Sequence, residues 1–235
     1  KTNNIKTHLA LSGGGIHGVS MLGALTNTCL DHIETIAGSS IGSVLGLLLC
    51  IAHPNDIVNA IRNQQFLQDD DYDFSAIFDD YGVLDQNIIV GRISLLCNNF
   101  MQNSNPTFAD VYAYSNIVLM IAATNLTNSS LEVFTTRNSP SMHVLDAIRL
   151  SISIPLVFKK VEFNGHLYAD GCIRCMYPHV LFKDVPIDNI QCVYCISPPR
   201  HDTLMSYIYS VMQSVYSIDF PPNTTRIVTS CSCAL

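Results

Sequence analysis

The chain has 235 residues, of which 48% are hydrophobic and 13% are charged, and its formal net charge is −7. This length suits one domain with a sizeable buried core, so we expect residues 1–235 to form a single domain. The negative charge argues against a nucleic-acid partner, because proteins that bind phosphate backbones present a basic face. It also weakens attraction to anionic lipid headgroups, so contact with a membrane should be mainly apolar.

The sequence predicts no transmembrane segment. Its longest low-polarity run, residues 41–52, has 12 residues, whereas a membrane-spanning helix needs about 20. No basic-then-apolar signal segment opens the chain, and the cysteine count of nine is odd, which is unusual for a disulfide-bonded secreted protein. We therefore expect a cytoplasmic or other reducing intracellular compartment, with peripheral membrane contact.

The first motif along the chain is a glycine-rich loop. Residues 8–11 predict a short buried strand and residues 19–30 a helix, and Gly13-Gly14-Gly15-Ile16-His17-Gly18 lies between them. Consecutive glycines between a strand and a helix leave backbone N–H groups free to bind an anion. The loop is therefore a candidate for holding a phosphate or the oxyanion formed during ester cleavage.

A dinucleotide is one alternative occupant of this loop, because Gly13, Gly15 and Gly18 formally satisfy the pattern G-x-G-x-x-G. The acidic residue that binds the ribose should follow about 20 residues later, near Glu34. The next motif begins at Gly38, which leaves no room for the expected unit. The spacing therefore favours the oxyanion interpretation.

The second motif is Gly38-Ser39-Ser40-Ile41-Gly42, which follows one apolar stretch and precedes another. This is the G-x-S-x-G pattern of a nucleophile elbow, where a strand turns sharply into a helix and exposes a serine hydroxyl. Gly38 and Gly42 suit that turn, because the two backbones pass too closely for a side chain. Ser40 is therefore the candidate nucleophile.

The middle of the chain alternates helix and strand patterns. Helices are predicted at residues 54–66, 84–100, 107–114 and 143–150, and strands at residues 116–123 and 131–136. An acidic loop at residues 68–81 lacks the glycine and the distal glutamate of a calcium-binding EF-hand, so we interpret it as a solvated loop. Alternating strands and helices predict a three-layer domain with a sheet between helices.

A β-hairpin is predicted near residue 164. Residues 157–163 and 166–168 are apolar runs joined by Asn164-Gly165, which is a strong signal for a two-residue hairpin turn. Asp170-Gly171 comes directly after the hairpin. Asp170 should therefore emerge at a strand end, where its side chain can reach a cleft.

Four cysteines raise the possibility of a zinc site, because Cys172-x-x-Cys175 and Cys192-x-x-Cys195 have the spacing of a zinc ribbon. However, residues 190–196 predict a buried strand, on which Cys192 and Cys195 would point to opposite faces. We therefore predict buried thiols and no metal. The last predicted element is a helix at residues 204–216.

Together, the glycine loop, the elbow around Ser40 and the later Asp170-Gly171-Cys172 resemble the patatin-like phospholipase family in order and spacing. Residues 149–158 also resemble the stretch that precedes the aspartate in that family. The resemblance implies a three-layer α/β/α domain with a central, mostly parallel sheet. It further implies a Ser40–Asp170 catalytic dyad without histidine and without a cofactor. Gly13, Gly14 and Gly15 would form the oxyanion hole, and the supporting motif positions would be His17, Gly18, Gly38, Gly42 and Gly171.

The chain departs from the family pattern at two positions. His17 replaces the usual Arg or Lys, and Cys172 replaces a Gly or Ala. A histidine is mostly neutral at pH 7, so any role of the family's cation would be weakened. These departures motivate an alternative, in which the chain is a weak or inactive relative that binds lipid or a partner protein.

The resemblance implies hydrolysis of fatty-acyl esters of phospholipids or other acyl lipids, with Asp170 taking the Ser40 proton and an acyl-enzyme intermediate. A free aspartate is a weak base, so burial should raise its pKa. A second alternative is a Ser40, Asp170 and His201 triad of the α/β-hydrolase type, with His179 as another candidate for the third member. That fold usually has several strands before its elbow, whereas only two are predicted here.

Overall fold

The computed structural model describes residues 5–62, 71–196, 204–216, 220–221 and 224–228. Its strands are β1 His8–Leu11, β2 Thr35–Ser39, β3 Gly82–Leu84, β4 Val118–Asn125, β5 Ser130–Thr135, β6 Leu156–Phe158, β7 Val161–Phe163, β8 His166–Ala169, β9 Ile190–Ile196 and β10 Thr224–Val228. Its α-helices are α1 Gly18–Leu25, α2 Ile41–Ile51, α3 Pro54–Ile61, α4 Gln86–Met101, α5 Phe108–Ser115, α6 Val144–Ser151, α7 Cys172–Cys175 and α8 Leu204–Gln213.

Eight of the described strands form the central sheet, in the order β10-β9-β1-β2-β4-β8-β7, and β5 also pairs with β4. The strands from β10 to β4 run parallel to their neighbours. β5 and β8 pair antiparallel with β4, and β7 pairs antiparallel with β8. β3 and β6 form a separate parallel pair. The mixed sheet, parallel over its first five strands, confirms the predicted α/β class.

The sheet separates two apolar cores. Leu9 and Leu11 on β1 belong to the larger core, together with buried side chains of α1 to α6. Ala10 points to the opposite face, where Met176 and Met212 cover the sheet from the α7 and α8 side. Successive strand residues face opposite sides, so this alternation produces three layers, with helices on both faces of the sheet.

Helix α2 is the central helix of the larger core. All of its residues from Gly42 to Ile51 are buried, which explains why its sequence is apolar on every side. In the described part of the chain, no single helix has both the length and the apolarity to cross a membrane. Helices α2 and α3 taken together have the length and composition of a membrane span, but the chain bends by 114° between them.

Several predicted elements are confirmed. Strand β9 has the predicted bounds, and the β7–β8 hairpin turns at Asn164 and Gly165, whose φ angles are 50° and 77°. Helix α5 follows Thr107, whose hydroxyl accepts the Asp110 N–H while the Asp110 carboxylate accepts the Thr107 N–H. This reciprocal capping box fixes where the helix begins.

Several element boundaries were predicted wrongly, among them the end of α8, which lies at Gln213 and not at residue 216. Leu84 belongs to β3, and α4 begins only after Asp85, whose side chain accepts the Asn87 N–H at 2.8 Å and so caps the helix. The predicted strand at residues 157–163 is two strands, β6 and β7. The Lys159 N–H still donates to the Leu84 carbonyl at 2.8 Å, whereas the next N–H, that of Lys160, donates to the Asp80 carbonyl at 2.7 Å and not to β3.

Helix α1 also ends earlier than predicted. Thr26 donates its hydroxyl to the Gly23 carbonyl at 2.7 Å, and Thr28 donates to the Ala24 carbonyl at 3.1 Å. Threonine hydroxyls that bond nearby carbonyls in this way compete with helix continuation. The predicted helix at residues 54–66 is helical as α3 to Ile61. Residues 63–66 lie outside the described residues, as do Asp69 and Asp70 of the acidic run.

Candidate active site

Ser40 occupies the sharp turn between β2 and α2, with φ 53° and ψ −128°. A positive φ is unfavourable for any residue other than glycine. Such backbone strain is concentrated at functional sites. The turn is close-packed: a Cβ on Gly38 would lie 2.3 Å from the Gly42 carbonyl oxygen, and one on Gly42 would lie 2.2 Å from that of Leu11. The elbow therefore requires both glycines for the reason that the sequence predicted.

Hydrogen bonds from neighbouring elements hold the elbow. The Ser40 N–H donates to the Ser151 hydroxyl at 2.9 Å, and that hydroxyl donates to the Ala122 carbonyl on β4 at 2.6 Å. The Ser43 hydroxyl donates to the Ser40 carbonyl at 2.6 Å. Ser39 donates its hydroxyl to the carbonyl of Cys175. These contacts fix the strained serine in one conformation.

Ser151 was not assigned a role from the sequence. It is the last residue of α6 and is fully buried. Ser153, two residues later, is almost fully buried. Two serines in an otherwise apolar segment were the available signal, because buried hydroxyls need hydrogen-bond partners. The partner of Ser151 is the elbow amide, which only the tertiary structure reveals.

Strand register brings Asp170 to the elbow. Ser39 at the end of β2 pairs with Ala122 on β4, and Ala169 at the end of β8 pairs with Thr124 on the same strand. The residues that follow β2 and β8 therefore meet beside β4. Gly171 permits this approach, because a Cβ there would lie 2.2 Å from the Ala122 carbonyl oxygen.

The Ser40 hydroxyl donates a hydrogen bond to the Asp170 carboxylate, with 2.6 Å between Oγ and Oδ2. The other carboxylate oxygen, Oδ1, accepts the Cys172 N–H at 2.8 Å. The Asp170 backbone is also fixed, because its N–H donates to the Ser153 carbonyl and its carbonyl accepts the Thr124 hydroxyl, both at 2.8 Å. Serine and aspartate are thus aligned for proton transfer.

Asp170 is fully buried. Burial raises its pKa from 3.8 to about 6, against the opposing effect of hydrogen bonds from Ser40 and Cys172, which favour the ionised form. The groups that shift this pKa include no cation among the described residues. A carboxylate with a pKa of about 6 is a stronger base than a free aspartate and is still mostly ionised at pH 7.

The glycine loop packs against Ser40. A Cβ on Gly13 would lie 3.2 Å from the Ser40 Cβ, and one on Gly14 would lie 2.7 Å from the Cys195 Cβ on β9. The Ser12 hydroxyl accepts the Cys195 N–H at 2.9 Å and donates to the Gly13 carbonyl at 2.8 Å. Gly15 has a φ of 54°, which favours glycine. The loop is therefore held beside Ser40.

The supporting positions His17 and Gly18 lie where the loop becomes α1. A Cβ on Gly18 would lie 2.3 Å from Cγ1 of Ile41, so the first turns of α1 and α2 are in close contact. His17 is half-buried, and burial lowers the pKa of its imidazole below the ordinary 6.5. The side chain is therefore neutral at pH 7 and supplies no permanent positive charge to the loop.

His179, one candidate for the third member of the triad alternative, does not contact Asp170 in the described structure. Nδ1 of His179 is 2.5 Å from the Tyr194 hydroxyl oxygen, on the face of the sheet that α7 and α8 cover. His201 lies outside the described residues. Among the described residues, Asp170 accepts the hydrogen bond of the Ser40 hydroxyl, and Gly13 lies close to the Ser40 Cβ.

The four cysteines with zinc-ribbon spacing do not come together in one cluster. Cys192 and Cys195 lie on opposite faces of β9, in different apolar cores. Within the ranges that the structure describes, which include all four cysteines of the motif, no three His, Cys, Asp or Glu side chains are arranged to hold a metal ion. The four cysteines are buried free thiols.

The candidate active site is closed in this structure, since only 4% of the Ser40 surface is exposed. Two surface pockets of about 1010 and 590 Å³ lie elsewhere. The larger includes Leu30 and Asn116, and the smaller includes Phe134 and His143. Neither is lined by Ser40 or Asp170, so a bulky substrate requires some movement of the residues that cover the serine.

Comparison with known proteins agrees with this geometry. The sequence profile of the patatin-like phospholipase family matches residues 9–182, so the chain belongs to that family. The matched region includes the glycine loop, the elbow, Asp170 and His179.

The individual relatives have less than 30% sequence identity to the chain. The chain is 29% identical over 186 residues to an uncharacterized protein of Acanthamoeba polyphaga mimivirus, a match that covers 75% of the chain and 61% of the relative. It is 27% identical over 176 residues to a probable lipid hydrolase of Invertebrate iridescent virus 6, with coverage of 72% and 61%. The chain thus spans about three fifths of the length of these two relatives.

Among solved structures, VipD from Legionella pneumophila superposes with a TM-score of 0.65 and 14% sequence identity. The superposition covers 96% of this chain and 61% of VipD. At this identity the likeness concerns the fold, and it confirms the patatin-like α/β/α architecture.

Proposed function

We propose that the protein is a lipid acyl hydrolase that cleaves fatty-acyl esters of phospholipids or related glycerolipids through a Ser40–Asp170 dyad. The observation that carries this proposal is the 2.6 Å hydrogen bond from the strained elbow serine to a fully buried aspartate. Family membership and the relative named a probable lipid hydrolase support the lipid class of substrate.

In the proposed reaction, Asp170 accepts the Ser40 proton while Oγ attacks the ester carbonyl carbon. The carbonyl oxygen becomes an oxyanion, and the alcohol leaves with the proton returned from Asp170. Water then attacks the acyl-enzyme, with Asp170 again acting as the base, and the free fatty acid is released. These steps use only protein groups and water.

Burial is what makes the aspartate adequate for this role. A pKa of about 6 lies close to that of a histidine, so a second residue is not required to supply a base effective at pH 7. The Cys172 N–H holds Oδ1 in place, which leaves Oδ2 directed at the serine. The Asp170 carboxylate is thus oriented by the backbone of the turn that follows it, at Cys172.

Backbone N–H groups of Gly13, Gly14 and Gly15 are the proposed oxyanion donors, and the Gly13 N–H, which faces the Cys172 sulfur in the closed site, has to leave that sulfur to take this role. Gly13 lies beside Ser40, because a Cβ on Gly13 would be 3.2 Å from the serine Cβ. The first turn of α2 begins at Ile41, so its partial positive charge lies at the same place. Both features favour a negative charge on the substrate oxygen.

A lipid surface is the proposed source of substrate. Ile16 in the glycine loop is 55% exposed, and Val19 in the first turn of α1 is 67% exposed. Apolar side chains at this position suit contact with acyl chains, and the acidic net charge disfavours electrostatic docking. We therefore propose peripheral, mainly apolar membrane contact next to the elbow.

Free fatty acid release from phosphatidylcholine vesicles tests the proposal. We expect release by the native chain and loss by at least about 1000-fold in Ser40→Ala and Asp170→Asn, as when a nucleophile or its base is removed. His179→Ala and His201→Ala are the matched controls and should retain release. Loss in a histidine variant with retention in Asp170→Asn would overturn the dyad.

The second candidate is a weak or inactive relative that binds lipid or a partner protein. The closed serine and the His17 and Cys172 departures favour it. In that case the native chain would sediment with phosphatidylcholine vesicles without releasing fatty acid, and Ser40→Ala would bind them equally well. Release that depends on Ser40 would exclude this candidate.

A further inference from the structure

Cys172 stands at the point where the family has a glycine or alanine, and it is only 1% exposed. It opens α7, directly after the Asp170-Gly171 turn, and its N–H donates to Oδ1 of Asp170 at 2.8 Å. The Tyr216 hydroxyl donates to the Cys172 carbonyl at 2.9 Å. The cysteine backbone is therefore anchored on both sides, which restricts where the thiol can point.

The thiol points into the candidate active site. A Cβ built on Gly13 would lie 2.1 Å from Sγ of Cys172 and 3.2 Å from the Ser40 Cβ. The sulfur therefore lies against the glycine loop, in the space beside the elbow that a glycine or alanine would leave empty. In this position the groups that act on the pKa of the thiol include the Asp170 carboxylate, which raises it, and the Gly13 N–H, which lowers it.

We propose that Cys172 is a positioning residue for the reaction: its thiol bridges the Gly13 amide and the Asp170 carboxylate, orients the carboxylate and sets its basicity. This role rests on the proposed function of Asp170 as the base. The carboxylate then has three donors, which are the Ser40 hydroxyl and the N–H and S–H of Cys172.

The thiol acts as a donor and is not a second nucleophile. Burial and the adjacent carboxylate raise the pKa of Cys172 well above its ordinary value. The group therefore stays protonated at neutral pH, and a protonated thiol is a poor nucleophile. Its S–H favours the ionised form of Asp170, so removing the thiol should make the aspartate harder to ionise.

The pH dependence of kcat/KM for a soluble acyl ester separates this role from a structural one. Cys172→Ala should move the acid limb to higher pH by about 0.5 unit, as the loss of one modest hydrogen bond implies. Cys172→Ser restores a donor and should return the limb toward the native position. Cys97→Ala removes another fully buried thiol and should leave the limb unchanged.

A second readout needs no turnover. The Asp170 carboxyl carbon can be titrated by NMR in the resting protein, with its signal assigned by its absence in Asp170→Asn. We expect its pKa to rise in Cys172→Ala and not in Cys97→Ala. An unchanged acid limb and an unchanged Asp170 titration in a folded Cys172→Ala would overturn the role of Cys172. If the native chain has no esterase activity but the Asp170 pKa still rises in Cys172→Ala, the contact between the thiol and the carboxylate stands and the proposed function is overturned.

Discussion

The Ser151 hydroxyl accepts the Ser40 backbone N–H at 2.9 Å and donates to the Ala122 carbonyl at 2.6 Å, so one buried side chain ties the elbow to strand β4. Strand β4 also pairs with the strand that precedes Asp170. Ser151 therefore helps to place the proposed nucleophile relative to its base, although it touches neither the serine Oγ nor the aspartate carboxylate in the contacts described.

Ser151→Ala should lower both stability and activity. It leaves the buried Ser40 N–H without this acceptor, which costs about 1–3 kcal/mol, and it loosens the strained turn. Chemical denaturation and ester hydrolysis measure the two effects. The matched control is Ser115→Ala on α5, which removes a similar hydroxyl-to-carbonyl bond to Val111 and should leave activity unchanged. Equal activity in both variants would contradict this role.

The burial of Asp170 predicts a pH-dependent cost to stability. Its pKa is raised from 3.8 to about 6 on folding, so the unfolded chain releases the proton first as pH rises from about 4 to 6, and stability falls across that window. Asp170→Asn removes the effect. We expect it to raise the free energy of unfolding by up to about 3 kcal/mol at pH 7.5, with no gain below pH 4.

Asp110→Asn is the control for this prediction, because the pKa of Asp110 is shifted in the opposite direction to that of Asp170. Hydrogen bonds from Thr107 lower the pKa of Asp110, so its contribution to stability is present at neutral pH and is lost as pH falls. The variant should be destabilised at pH 7.5. An Asp170→Asn protein that is no more stable than the native chain at pH 7.5 would contradict a buried carboxylate with a raised pKa.

Gly13→Ala should conflict with the Cys172 sulfur, which a Cβ would approach to 2.1 Å. We expect a loss of about 1–3 kcal/mol, typical of overpacking, and a large loss of ester hydrolysis. The double variant Gly13→Ala/Cys172→Ala should recover part of the stability, because the conflicting atom is gone.

The comparison for Gly13 is Gly23→Ala on α1, where an added Cβ meets nothing within 4 Å. Replacing a helical glycine by alanine at an open position should stabilise the protein by about 0.5–1 kcal/mol. Denaturation of the native chain, Gly13→Ala, Cys172→Ala and the double variant measures the coupling between positions 13 and 172. Additive effects of the two changes would show that the sulfur does not lie against the loop.

Val19→Asp tests the proposed membrane contact. Val19 is 67% exposed beside the loop, and a charge there should weaken docking on phosphatidylcholine vesicles about tenfold, the loss expected for one buried valine side chain. Hydrolysis of a monomeric soluble ester should change little. Leu95→Asp, at an exposed apolar position on α4, is the control. Equal vesicle activity in the two variants would place the contact elsewhere.

The fold was predictable where its signals are local. The bounds of β9, the turn at Asn164-Gly165 and the Thr107 cap follow from short patterns, and all are present. The β3–β6 pair was missed, because Gly82 and Leu156 meet across a long stretch of chain in strands of three residues. Strands this short carry no periodicity to detect.

The candidate site was predictable only in its motif residues. Ser40 and Asp170 lie in recognisable patterns, but their approach depends on two registers with β4. The contacts of Ser151 with the elbow and of the Cys172 sulfur with Gly13 depend on packing between elements distant in sequence. No local pattern specifies such contacts.

The central claim is that Ser40 is a nucleophile activated by Asp170, and the most direct test is fluorophosphonate labelling followed by peptide mass mapping. We expect an adduct on Ser40, a labelling rate that falls as pH drops through about 6, and loss of labelling in Asp170→Asn. This pH range overlaps that of histidine, so the substitution is needed beside the profile. An adduct at another residue, or equal labelling of Asp170→Asn, would contradict the account.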